Sequence, residues 1–340
     1  MSEAGAGGGV SERLRRLVTL TGAGVLRGTL YVSPKPMVFV LRRQFSAGAD
    51  VLAARLMRDA PSDVVATIDE RYDAHPDALL DVYTPAAAVA GGERLPTVVW
   101  THGGAFVGGS KEEIGGYLRT IAGAGFTVVG VRYTLAPEAR HPTPTRQLLE
   151  ALRHLEANAD RLHVDPQRFV LVGDSAGAQI SAQAASVVTN PEYSALLGVD
   201  ALIKAEQLRG VALCCGVFDL AMVEPSSPFR MLIDAVGWAY SGTRDFRNDQ
   251  AFISTVSVPP HVTAEFPPTF LTVGNTDPLA RQSVALAEVL RSKKVDVETL
   301  FYPADHTPNL DHEYQFDLDL DDARTALDRM IAFFRRVTPS

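Results

Sequence analysis

The stretch GDSAG, residues 173–177, decides the fold of this chain because a predicted strand precedes it and a predicted helix follows it. The apolar run at residues 168–172 comes directly before it, and a run of small residues at 178–188 comes directly after it. A serine between two glycines at a strand-to-helix turn is the pattern of a nucleophile elbow, in which the tight turn leaves no room for flanking side chains. The sequence therefore predicts that Ser175 Oγ stands above the end of a buried strand as a nucleophile.

Composition limits the classes of protein to which this chain can belong. Of its 340 residues, 46% are hydrophobic and 21% are charged, which is typical of a folded globular protein and excludes wholesale disorder. The formal net charge of −8 argues against a general affinity for phosphate backbones, because nucleic-acid binders usually carry a basic domain or stripe. We therefore expect no nucleic-acid partner.

Cysteine usage and the amino terminus bear on the compartment. Cys214 and Cys215 are adjacent within one apolar run and are the only cysteines, so they form neither a disulfide framework nor a cysteine-based zinc site. The glycine-rich residues 1–10 lack the pattern of a secretory signal. Glycine, proline and charged residues interrupt the apolar segment at 17–41, so it is no continuous transmembrane stretch. These features predict a cytoplasmic protein.

Short β-branched runs alternate with helical patterns along most of the chain. The predicted strands lie at residues 64–68, 79–83, 97–100, 127–131, 169–172, 211–213, 270–273 and 297–302. The predicted helices cover residues 112–124, 144–157, 178–188, 279–292 and 321–335. Buried strands that alternate with helices indicate an α/β class and a mostly parallel, doubly wound sheet.

Two segments depart from this alternation. Residues 1–60 precede the first strand, and residues 220–266 combine several prolines with an apolar helical pattern. Because both segments would lie above the strand ends, we predict an N-terminal cap segment at 1–60 and a second cap insertion at about 220–266. Residues 61–340 form the predicted catalytic domain.

A serine nucleophile needs donors for the oxyanion that forms on attack, and the sequence HGGAF at residues 102–106 offers them directly after a predicted strand. We predict that the backbone N–H groups of Gly103 and Gly104 act as donors, since no Cβ obstructs a substrate oxygen there. The N–H of Ala176, next to the serine, completes the predicted oxyanion hole. His102 is expected to brace this loop.

The serine also needs a base and an acid that orients the base. Asp277 follows one predicted strand, and His306 follows the last one. Since the carboxyl ends of parallel strands face one crevice, both residues can reach Ser175. We therefore predict His306 as the base and Asp277 as its orienting acid. His312, six residues further along, is the alternative base.

Taken together, these motifs resemble the hormone-sensitive-lipase-like family of α/β-hydrolase carboxylesterases. The resemblance runs from about residue 96 to the carboxyl terminus and rests on HGGAF, the segment YTLAPE at 133–138 with the following His141-Pro142, GDSAG, Asp277-Pro278-Leu279, and His306. It implies an α/β-hydrolase fold with a mostly parallel, doubly wound sheet of about eight strands and a helical cap. It also implies cleavage of acyl esters by the triad Ser175, Asp277 and His306, without a metal or an organic cofactor.

Three positions depart from the family pattern. Ala105 replaces the third glycine of the oxyanion loop, and Thr134 stands where an arginine is usual. Thr307 follows His306 at a position where glycine is common, which is the reason to keep His312 as an alternative.

Other functions remain open at this point. The same triad could act on an amide or an acetyl group, and the same fold could serve a receptor that binds a ligand without turnover. We expect a small-molecule ester as the substrate and surface contact with lipid as an option, in a monomer or a homodimer.

Overall fold

The computed structural model describes residues 32–222 and 230–339, and eight strands of this part form one sheet. The strands are β1 (Val64–Arg71), β2 (Leu79–Pro85), β3 (Leu95–Thr101), β4 (Thr127–Val131), β5 (Val164–Asp174), β6 (Leu208–Cys214), β7 (Thr269–Val273) and β8 (Val297–Phe301). Their order across the sheet is β1-β2-β4-β3-β5-β6-β7-β8. Strand β2 pairs antiparallel with β1 and with β4, whereas all other pairs are parallel. This confirms the predicted α/β class.

The helices cover both faces of the sheet. They are α1 (Lys35–Met57), α2 (Ala86–Gly91), α3 (Gly115–Gly123), α4 (Thr143–Ala157), α5 (Ala176–Thr189), α6 (Pro191–Leu197), α7 (Arg230–Ser241), α8 (Gln250–Val256), α9 (Ala280–Ser292) and α10 (Asp321–Val337). Strand side chains alternate between two hydrophobic clusters: Val99 and Leu171 lie in one, Val98 and Val170 in the other. Strands buried on both faces explain why the sequence shows continuous apolar runs.

Most predicted boundaries agree with the structure to within a few residues, but α3 begins at Gly115 rather than at residue 112. The preceding residues form turns that carry Lys111 into the core, where its side chain is fully buried. Its ammonium group contacts Asp81 at 2.7 Å, Asp69 at 2.8 Å and Glu112 at 2.9 Å. A buried cation needs such partners, so these contacts determine the backbone path more strongly than helical periodicity does.

Three short helices, α2, α6 and α8, were not predicted, although the sequence contains a recognisable signal for α6. Asn190 caps it by accepting hydrogen bonds from the N–H groups of Glu192 and Tyr193, and Gly198 ends it in the left-handed conformation. An Asn-Pro pair followed by a glycine at this spacing is a start and stop signature.

The segments predicted as a cap are described only in part, since residues 1–31 and 223–229 lie outside the described residues. Helix α1 packs against α7 and α3. Its Arg42 donates hydrogen bonds to the carbonyl oxygens of Val107 and Ala136 and pairs with Glu138. The hydrogen bond to Val107 therefore holds helix α1 against the loop that follows β3.

Candidate active site

Ser175 lies between β5 and α5 in a strained backbone conformation, with φ 50° and ψ −116°. A positive φ is uncommon for a residue other than glycine and persists only where the surroundings impose it. Here the flanking glycines allow it: a Cβ on Gly177 would collide with the carbonyl oxygen of Thr101, and a Cβ on Gly173 with the backbone of Gly177. The structure thus has the predicted elbow.

Three side chains form a continuous hydrogen-bonded chain at the elbow. Ser175 Oγ lies 3.0 Å from His312 Nε2, and His312 Nδ1 lies 2.8 Å from Asp277 Oδ2. The other oxygen of Asp277 accepts a hydrogen bond of 2.7 Å from the N–H of Leu279. Because the Asp277 side chain is completely buried, its negative charge acts on His312 with little screening by water.

The prediction of His306 as the base is wrong in this structure. His306 Nε2 contacts Asp322 at 3.1 Å, and its ring packs on Tyr302. The segment after β8 continues past His306 and folds back over the end of β7, where the N–H of Leu310 donates to Asn275. This return brings His312, the alternative in the sequence, between the serine and the aspartate.

The environment of His312 shifts its pKa. Burial lowers the pKa, but the interactions with Asp277 and Cys215 together outweigh burial and hold the pKa well above the ordinary value of 6.5. Cys215 also lies against His312, yet burial raises the pKa of its thiol to about 11. The thiol is therefore neutral at pH 7, so the negative charge next to His312 is that of Asp277.

The oxyanion loop differs from the prediction at one residue. The N–H of Gly103 donates a hydrogen bond of 2.8 Å to Asp174 Oδ2, so it is not available to a substrate oxygen. The other oxygen of Asp174 accepts from the indole N–H of Trp100 at 2.7 Å. The prediction of Gly103 as a donor is therefore wrong here, because Asp174 of the GDSAG stretch uses its amide.

The next two amides of the loop are free of such contacts. Among the residues that the structure describes, nothing accepts a hydrogen bond from the N–H of Gly104 or Ala105. Both residues have positive φ values, 108° and 53°. Ala176 is the first residue of α5, so its N–H has no partner within the helix.

His102 lies against the oxyanion loop, as expected. Its ring stacks on Tyr133 with centroids 4.5 Å apart, and its Nδ1 makes a 2.8 Å hydrogen bond with the carbonyl oxygen of Gly103. Burial lowers its pKa to about 4, so the ring is neutral at pH 7 and Nδ1 is the donor to that carbonyl.

Within the described ranges, one group of metal-binding side chains has its ligand atoms within 4.8 Å of one another: Cys215, Asp277 and His312. Two of them are already joined in the hydrogen-bonded chain to Ser175. We therefore assign no metal to this group. No helix in the part of the chain described by the structure is long and apolar enough to span a bilayer.

Glu313, which directly follows His312, was not predicted as a site residue from the sequence. Its φ of 62° lies in the left-handed region that favours glycine, and its Oε1 lies 3.8 Å from His312 Nε2. The family pattern could have revealed this position, because a glycine commonly follows the family's histidine. Here a glutamate occupies it.

Comparisons with known proteins agree with this geometry. A family model described as alpha/beta hydrolase fold matches residues 98–307, more than half of the chain. Carboxylesterase NlhH of Mycobacterium tuberculosis is 30% identical over 303 residues, which cover 85% of this chain and 89% of that protein. Among solved structures, esterase B of Lactobacillus rhamnosis aligns with a TM-score of 0.75 at 24% identity and covers 89% of this chain and 96% of its own.

A hyperthermophilic esterase of the archaeon Pyrobaculum calidifontis aligns with a TM-score of 0.67, at 24% identity over 92% of this chain and 96% of its own. At this identity the two solved structures support the fold alone. The family match and the 30% identity to the mycobacterial protein show the family as well as the fold. The chain belongs to the hormone-sensitive-lipase-like family of the α/β-hydrolase fold.

Proposed function

We propose that this protein is a serine carboxylester hydrolase that acts through Ser175, His312 and Asp277. The observation that carries the proposal is the chain of two hydrogen bonds, 3.0 Å from Ser175 to His312 and 2.8 Å from His312 to Asp277. A serine hydroxyl is a weak nucleophile at neutral pH, and a neighbouring imidazole oriented by a carboxylate is the arrangement that activates it. Membership of a family that contains carboxylesterase NlhH supports the choice of an ester substrate.

In the first half of the reaction, Ser175 Oγ attacks the ester carbonyl carbon while His312 Nε2 takes the hydroxyl proton. Asp277 keeps the Nδ1–H of His312 pointing toward itself, so that Nε2 carries the free lone pair. The negative charge of Asp277 also stabilises the imidazolium that forms. The carbonyl oxygen then becomes an oxyanion on the tetrahedral intermediate.

We assign the stabilisation of this oxyanion to the backbone N–H groups of Gly104, Ala105 and Ala176. Gly104 and Ala176 were predicted as donors, and Ala105 takes the place of Gly103, whose N–H donates to Asp174. Unpartnered amides at a strand end and at a helix start are suited to an anion because they need no reorganisation to donate. The positive φ values of Gly104 and Ala105 turn successive amides out of the strand direction.

The intermediate collapses when His312 gives its proton to the leaving alkoxide, which departs as the alcohol and leaves Ser175 acylated. A water molecule then attacks the acyl carbonyl carbon, with His312 again as the base. Collapse of the second tetrahedral intermediate returns the proton to Ser175 Oγ and releases the carboxylic acid. The residues named supply every proton transfer in this sequence.

We also propose that α1 and α7 form the cap over this site, with residues 1–31 and 223–229 lying outside the described part. The contact of α1 with α7 and the tie from Arg42 to the carbonyl oxygen of Val107 support this placement. We propose a cytoplasmic location, because the two cysteines are free and buried, which fits a reducing compartment. A small-molecule ester remains the expected partner, while lipid contact and the choice of monomer or homodimer stay predictions.

Hydrolysis of p-nitrophenyl esters, from acetate to palmitate, tests the proposed function. We expect turnover by the unchanged protein and a fall of about 10⁴-fold or more in kcat in S175A and H312A. The length of the acyl chain at the highest kcat/KM measures the size of the acyl pocket.

H306A is the matched control, because His306 contacts Asp322 and not Ser175. Turnover in H312A with loss in H306A would refute the assignment of the base. If no ester of the series is hydrolysed, parallel assays with p-nitroanilides and ligand-binding measurements distinguish an amidase from a receptor.

A further inference from the structure

A pair of carboxyl groups lies beside the reacting atoms, and the mechanism above makes no use of it as a pair. Asp174 is buried and accepts hydrogen bonds from Trp100 and Gly103. The Glu313 side chain lies next to the Asp174 side chain and raises the pKa of that carboxyl group. Oxygens of both carboxyl groups crowd the space where a Cβ on Gly103 would lie.

The backbone at Glu313 is held in an unfavourable conformation. A φ of 62° costs energy for any residue with a Cβ, and glycine would avoid that cost. Such strain persists only where the surroundings impose it, and it often marks a functional position. At Glu313 the result is a carboxyl group between Asp174 and the Nε2 atom of His312, at 3.8 Å from the latter.

Two carboxylates in contact cannot both remain ionised at low cost when one of them is buried. Burial raises the pKa of Asp174 well above its ordinary value, and the charge of Glu313 raises it further. The hydrogen bonds from Trp100 and Gly103 act in the opposite direction without cancelling this. Other titratable groups that interact with Glu313 are Glu113, His312, Tyr133, Cys214 and Cys215.

We propose that Asp174 and Glu313 share one proton, that Glu313 is thereby a positioning residue, and that loss of the shared proton limits the hydrolysis at alkaline pH. The proposal rests on the proposed function, since it describes how the same site is held in its active geometry. With one proton, one carboxyl group donates an O–H to the other, and the pair carries a single negative charge.

In this state the pair connects two parts of the site. Asp174 holds the Gly103 amide and so fixes the loop that presents Gly104 and Ala105, while Glu313 fixes the segment that carries His312. When hydroxide removes the shared proton, two negative charges face each other and the bond between the carboxyl groups is lost. The second charge also opposes the developing oxyanion. We therefore expect kcat to fall at alkaline pH and KM to change little.

Kinetics against pH test this, from about pH 5 to about pH 10, with an ester whose alcohol does not titrate in the range. In Glu313→Gln the amide can still donate a hydrogen bond to Asp174, and the pair keeps one negative charge at every pH. Glu313→Ala removes the contact with Asp174 but retains a Cβ, so the backbone strain is unchanged. We expect the alkaline fall in kcat to disappear in Glu313→Gln. We expect Glu313→Ala to lose about 10- to 100-fold in kcat at neutral pH, and Glu313→Gln to lose less.

Asp305→Asn is the matched control, because it removes one exposed carboxylate from the same segment. Its pH profile should match that of the unchanged protein. The proposal is overturned if Glu313→Gln keeps the full alkaline fall, or if Glu313→Gln and Glu313→Ala lose equal activity.

Infrared spectroscopy provides a readout that does not depend on hydrolysis. A protonated carboxyl group gives a carbonyl stretch distinct from that of a carboxylate, and the shared proton predicts such a band near neutral pH. Glu113 must be replaced first, because burial and the charges of Glu313 and Glu112 raise its pKa to about 7. In the Glu113→Gln background the band should be present, and the further change Glu313→Gln should remove it. Absence of the band overturns the proton sharing even if ester hydrolysis is established. If the band is present but no ester is hydrolysed, the proposed function is wrong and the proton sharing stands.

Discussion

Replacement of Asp277 by asparagine tests how the buried carboxylate acts on His312. The oxygen of Asp277 lies 2.8 Å from Nδ1, and its side chain is completely buried. At an effective dielectric constant of about 20, opposite unit charges at this separation attract by about 6 kcal/mol, which is an upper bound for the stabilisation of the imidazolium. Asparagine removes this charge and can donate to Nδ1, which would place the imidazole proton on Nε2, where it blocks acceptance of the serine proton.

Since 1.36 kcal/mol corresponds to tenfold in rate, we expect kcat of Asp277→Asn to fall by about 10⁴-fold. Stopped-flow release of p-nitrophenol from a short-chain ester measures this, and circular dichroism checks that the variant is folded. The lost attraction should also lower the pKa of His312, so the residual activity should begin its rise at lower pH. A loss of less than about tenfold in a folded variant would refute the reasoning.

Three further predictions concern the elbow, the buried cation and the pH dependence. Gly177→Ala places a Cβ on the backbone of a neighbouring strand, so denaturant titration should show a loss of about 1–3 kcal/mol in the free energy of unfolding. Gly91→Ala is the control: only a glutamate side chain lies near that position, so its free energy of unfolding should be almost unchanged. Lys111→Met leaves the buried carboxylate of Asp81 unpaired and should destabilise the fold by about 3–5 kcal/mol; a thermal melt equal to that of the unchanged protein would contradict this. The value of kcat/KM should rise with pH as His312 loses its proton, and the midpoint should lie above the ordinary 6.5 because the pKa of His312 is raised. A midpoint below 6.5 would contradict the direction of this pKa shift.

The sheet and the elbow could be predicted from the sequence because both depend on local patterns. Continuous apolar runs mark strands that are buried on both faces, and glycines on either side of Ser175 mark a turn with no space for a Cβ. Asp277 joins the site as predicted because it lies in the loop that follows β7, and His312 links it to Ser175. In each case the signal lies within a short stretch of the sequence.

The errors arose where the deciding contacts join distant parts of the chain. His306 and His312 both follow β8, and only the return of that segment over the end of β7 decides which of them reaches Ser175. The sequence of the segment does not reveal this return. Gly103 was assigned as a donor because it lacks a Cβ, but its amide is taken by Asp174, 71 residues away.

Covalent labelling tests the central claim most directly. A phosphonate ester reacts with an activated serine and leaves a mass increment that peptide mass spectrometry can locate. We predict a single adduct on Ser175, formed at similar rates by the unchanged protein and by His306→Ala, and formed at least about 10³-fold more slowly by His312→Ala. Rapid labelling of His312→Ala together with slow labelling of His306→Ala, or an adduct on another residue, would contradict the account.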